Sequence, residues 1–100
     1  MSHFAERKFK SRYRLYDMRR RLRSVFPSIN WMIGGADSSY SDEYIRGSIS
    51  SGSYIDIEEK GGGYSANLFF PKLPESEKIR LVEMLDKELL PAIEAKDIQS

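Results

Sequence analysis

The chain of 100 residues has no cysteine, one histidine and one tryptophan. Without cysteine there can be no disulfide and no thiolate metal site, a composition that suits a reducing compartment. His3 has no second histidine to work with, so neither a Cys/His metal set nor a Ser-His-acid arrangement is expected. Long apolar runs are missing too. The longest uncharged stretch, residues 24–36, is too short and too broken to span a bilayer, and the opening MSHFAERK lacks the apolar core of an export signal. The expectation is a cytoplasmic protein with no membrane association.

Other chemistries are equally thin. GGADSS and KGGGYS lack the Gly-Lys-Ser/Thr ending of a phosphate loop, and KGGGYS leads into a strand, not a helix. Two acidic groups, Asp37/Asp42/Glu43 and Asp56/Glu58/Glu59, do not have the ligand spacing of a calcium loop. No catalytic residue, no metal and no cofactor is therefore expected. The reading is of a binding protein, not an enzyme.

What the chain does have is charge polarity. Residues 6–26, ERKFKSRYRLYDMRRRLRSVF, carry nine bases and two acids, a net of +7, while residues 27–100 carry seven bases and thirteen acids, a net of −6. A basic arm on an acidic body points to a polyanion or an acidic surface as partner. On a helical wheel Phe4, Leu15, Met18, Leu22, Val25 and Phe26 form one apolar stripe, with Lys8 and Ser11 its polar members. No Gly or Pro interrupts the run before Pro27, so a basic amphipathic helix is expected over residues 4–26.

The rest of that helix surface carries the candidate contacts. Tyr13 and Tyr16, with Phe9, lie among Arg12, Arg20 and Arg23, while Arg7, Lys10, Arg14 and Arg21 form a second row. Arg19 completes the basic run. Rings interleaved with guanidinium groups can stack on bases while the charges neutralise phosphates. The plain alternatives are that the rings pack on the body and that the arm folds back onto its own acids.

Beyond Pro27 the pattern changes to strands: residues 29–33, then 43–50, 53–59 and 64–70, an antiparallel sheet within residues 28–70. Residues 36–41 read as a loop in which Asp37, Ser38 and Ser39 make local turn bonds, Ser51-Gly52 as a tight turn, and residues 60–63 as a flexible one. Ile45, Ile55 and Ile57 mark the buried face. Tyr44, Arg46, Ser48, Tyr54, Asp56 and Glu58 mark the other, where Tyr44 and Arg46 are added to the candidate contacts. From residue 74 to 95 a helical period returns, with Ile79, Val82, Leu85, Leu89 and Ile93 on one face, widened by Leu81 and Leu90, Pro74 at its start, Pro91 near its end and a frayed tail after it. The expected fold is α+β: an N-terminal basic helix, a four-stranded antiparallel sheet, and a C-terminal helix packed on that sheet.

The arm segment KSRYRLY, together with Asp37-Ser38, Tyr40, Tyr44-Ile45-Arg46 and Ser48 in DSSYSDEYIRGS, resembles one group of phage-encoded type II-A anti-CRISPR proteins. Asp56, Glu58, Glu59 and the triple glycine depart from that pattern. The resemblance implies a small inhibitor whose basic arm engages a CRISPR effector or its guide RNA, with Arg12, Arg14 and Arg19 to Arg21 at the contact. The leading expectation is thus a nucleoprotein complex or nucleic acid bound through residues 7–23. Direct, sequence-tolerant RNA or DNA binding is the second reading. A protein-interaction subunit, or a homodimer pairing basic arm with acidic body, is the third.

Overall fold

A computed structural model describes residues 2–34, 43–49, 52–70 and 73–99. The expected loop at 36–41, with Asp37, Ser38, Ser39 and Tyr40, lies outside the described residues, as does Ser51 of the expected turn.

The α+β class holds, but the arm is not one helix. Ser2–Lys10 forms strand β1, and helix α1 begins only at Leu15 and runs to Val25. The two polar members of the helical stripe are the physical reason. A helix from residue 4 would bury Lys8 and Ser11 with the core. As a strand the same residues alternate, so Phe9 is 3% exposed while Lys8 and Lys10 point out to solvent. Ser11 makes the corner between the two elements: its hydroxyl accepts the Tyr13 N–H at 3.1 Å and donates to the Ile93 carbonyl at 2.7 Å.

The sheet is larger than expected. Among the described residues it has six strands in the order β2-β3-β4-β5-β1-β6, every neighbour antiparallel. β2 (Asn30–Gly34), β3 (Tyr44–Ser48), β4 (Tyr54–Lys60) and β5 (Gly63–Phe70) are the four legible from alternation. β1 adds against β5, and β6 (Lys96–Gln99) adds against β1. The tail expected to fray is thus an edge strand with all four residues exposed. The β4–β5 turn is tight: Lys60 pairs with Gly63, and Gly61 and Gly62 take φ of +59° and +82°. Such left-handed angles at both positions of a two-residue hairpin turn favour glycine.

One sheet face is covered. Trp31, Ile45, Ile55, Ile57, Ala66, Leu68, Phe70 and Phe9 pack against Leu15, Met18 and Leu22 of α1 and against Leu81, Leu85, Leu89, Leu90 and Ile93. α1 lies over β2, β3 and β4. The C-terminal helical segment reaches the β1 side, where Arg7 meets Asp86. That segment consists of α2 (Glu75–Met84), a π-helical turn over Leu85–Leu89, and a last turn, α3 (Leu90–Ala92). The wide turn sits just before Pro91, which has no N–H to give the carbonyl four residues back and whose ring crowds it. Pro74 is the residue before the helix, not its first residue. Leu81, Leu85, Leu89, Leu90 and Ile93 are buried as expected, but Ile79 at the start of the face is 53% exposed. No helix among the described residues is long and apolar enough to cross a membrane.

Candidate nucleic-acid interface

The expected basic surface is divided by the fold into bases that hold the protein together and bases left facing water. Arg7 extends from β1 on the helix-covered face, and its guanidinium donates to both oxygens of Asp86 at 2.9 and 3.2 Å. Arg19 and Arg21 flank the buried side of α1. Arg19 Nε donates to the Trp31 carbonyl of β2 at 3.2 Å, and Arg21 Nε donates to the Ala92 carbonyl at 2.7 Å. The pair ties the helix to the elements on either side of it.

Tyr13 is the centre of a second cluster. Its ring lies beneath the Arg12 and Arg21 guanidiniums, at 4.8 and 4.7 Å, and its hydroxyl donates to Glu94 at 2.6 Å. Arg12 donates to the same Glu94 oxygen at 2.9 Å. These bonds, the Tyr13 one foremost, hold the Glu94 carboxyl below its ordinary pKa, and the Glu94 bond raises that of Arg12. Glu94 itself has φ of 51° at the end of α3, where Ala95 N–H bonds to Leu90 O and Glu94 N–H to Pro91 O. That is a Schellman ending, which glycine usually serves. Arg7, Arg12, Arg19, Arg21 and Tyr13 therefore have structural roles.

Among the described residues the side chains of Arg14, Tyr16, Arg20 and Arg23 make no such bond. The helical turn sets Tyr16, Arg20 and Arg23 along one line facing away from Leu15, Met18 and Leu22. Tyr16 is 61% exposed, the three arginines are exposed, and none of the three makes an ion pair among the described residues. Asp17 is the one acid on the helix. Arg14 precedes α1 and, with Tyr16, Glu43, Glu59 and Tyr64, lines a shallow depression next to the helix start.

Tyr44 and Arg46 fall on the open sheet face, as the alternation implied. Arg46 donates from Nε and a terminal nitrogen to the two oxygens of Asp56, at 2.7 and 2.8 Å. Its guanidinium lies 4.2 Å from the Tyr54 ring centre and 5.3 Å from that of Tyr44. Tyr54 in turn stacks on Phe69 at 4.9 Å. Side chains of three strands, β3, β4 and β5, thus form one ladder in which Arg46 is already neutralised, so it is a weak candidate for phosphate contact.

Lys10 is exposed on the same open face of β1. Sequence reasoning passed over its neighbours Lys8 and Lys60, because only the β1–β5 and β4–β5 pairings bring them together. The one local signal was Lys60 opening a glycine turn. Comparison of the chain with family models, curated proteins and solved structures found no match. The functional reading rests on the geometry.

Proposed function

We propose that this is a small non-enzymatic binding protein that docks on nucleic acid, or on a nucleic-acid-processing complex, through the outer face of α1. The observation that carries the reading is Tyr16, 61% exposed and in line with Arg20 and Arg23 on a helix already seated by Arg19 and Arg21. An aromatic ring left in water beside unpaired guanidiniums suits a base stacked on the ring and phosphates held by the arginines. Charge that served only the fold would be paired, as Arg7 and Arg12 are. The anti-CRISPR resemblance makes a CRISPR effector carrying its guide RNA the first complex to try, and inhibition of it the activity to assay.

The test is fluorescence anisotropy of a labelled single-stranded RNA, and separately of the assembled effector, against the protein and an Arg14→Ala/Arg20→Ala/Arg23→Ala variant. Loss of three phosphate contacts should weaken binding roughly tenfold or more at moderate salt, with circular dichroism unchanged. Binding of naked RNA marks a direct nucleic-acid binder, and binding of the effector alone marks a complex-directed inhibitor. Equal binding by the variant, or no binding of either probe by the parent protein, overturns the reading.

A further inference from the structure

A second basic site lies at the other side of the sheet. Lys8, Lys10 and Lys60 line a cleft of about 730 Å³ with Gly61, Gly63, Asp97, Ile98 and Gln99. The registers explain how. Lys60 pairs with Gly63 across β4–β5, Lys10 lies just beyond Gly63 on β1, and Lys10 pairs with Lys96 across β1–β6. Where Lys60 and Lys10 flank the same position of β5, the residue between them is Gly63, whose missing side chain lets the Phe9 carbonyl and the Lys10 stem close in beside it. β4 and β1 both border β5, which sets the two lysines about 10 Å apart at their backbones. Flexible stems of that length can close on one group between them.

Among the described residues no ion pair offsets this charge. Lys10 and Lys96 are like charges directly opposite each other, an arrangement that destabilises a strand pair. Among the described residues Lys8, Lys10 and Lys60 pair with no carboxylate, and Asp97 is the single acid in the cleft lining. Tyr64 lines both this cleft and the depression containing Arg14 and Tyr16. Its ring is buried against Phe9 on the helix-covered side, so the two basic sites adjoin the same end of β5 from opposite faces of the sheet.

We infer that the Lys8/Lys10/Lys60 cleft is a binding site for consecutive phosphate groups. Read with the proposed function, on which this extension rests, a flexible single strand leaves the α1 arginines, rounds the start of β5 and sets its next phosphates among the lysines. Such a path turns from a helix face to a sheet face, which a single strand can follow and a stiff duplex cannot. A free polyphosphate-bearing ligand presents the same chemistry.

Amide chemical shifts followed during titration with sodium tripolyphosphate, and then with a short oligouridylate, test the site. A Lys8→Gln/Lys10→Gln/Lys60→Gln variant changes only exposed side chains and should fold normally. Tripolyphosphate should shift residues 8–10, 60–63 and 97–99 in the parent protein and in the α1 arginine variant, and the lysine variant should lose those shifts. Shifts confined to other residues, or equal in the lysine variant, overturn the site. If oligouridylate shifts both the cleft and α1, the source is a nucleic-acid strand. If only tripolyphosphate binds, the cleft serves a free ligand and the α1 reading fails alone. If oligouridylate binds the lysine variant as tightly as the parent, the shared path is wrong while α1 stands.

Discussion

The Tyr13 hydroxyl donates to the carboxylate of Glu94 at 2.6 Å, and Glu94 holds a left-handed backbone, φ 51°, that a side chain normally avoids. The contact joins the start of α1 to the end of α3, so the strained residue is fixed from a distance of 81 positions in sequence.

Because the Tyr13 and Arg12 bonds lower the folded-state pKa of Glu94, its stabilising effect is complete above the unfolded carboxylate value of about 4.3 and disappears as pH falls through the lower folded value. Thermal unfolding measured across that acid window should show a shallower fall for Glu94→Gln than for the parent chain. An identical acid limb would mean that the contact is not kept in solution.

Gly47 sits beneath Trp31, and a Cβ there would fall 2.5 Å from the indole ring. Trp31 is 3% exposed, and its indole N–H donates to the Phe26 carbonyl, so it has little room to retreat. Gly47→Ala should cost about 1–3 kcal/mol by overpacking, read as a lower midpoint in urea.

Arg46 is gripped by Asp56 and lies between two tyrosine rings, a geometry that a lysine cannot reproduce. Its side chain is 42% exposed, so water screens much of the attraction. Arg46→Lys should still lose about 1 kcal/mol in denaturant titration. RNA affinity should hardly change, because the guanidinium is already neutralised.

Salt dependence separates the two proposed phosphate surfaces. Three contacts by Arg14, Arg20 and Arg23 give a slope of log affinity against log salt of about −2 for a single strand, and three more in the lysine cleft take it to about −4. Each triple variant should bring the slope back to about −2 in the same binding assay. A parent slope near zero would exclude phosphate contact as the source of binding.

The sequence by itself determined the four strands β2 to β5 and the two amphipathic segments around Leu22 and Leu85, because their apolar spacing is written within a few residues. It also determined the face of Tyr44 and Arg46, since a period of two fixes the side once Ile45, Ile55 and Ile57 are buried. Residues 4–14 were different. Helical and alternating patterns both fit them, and the deciding partner of β1 is β5, about sixty positions away. For β6 there was no periodic signal at all, as an edge strand with every residue exposed needs only backbone partners. Tertiary structure likewise decided which arginines are free. Arg19, Arg20 and Arg21 are indistinguishable in the chain, and what separates them is whether a carbonyl of Trp31 or Ala92 lies within reach.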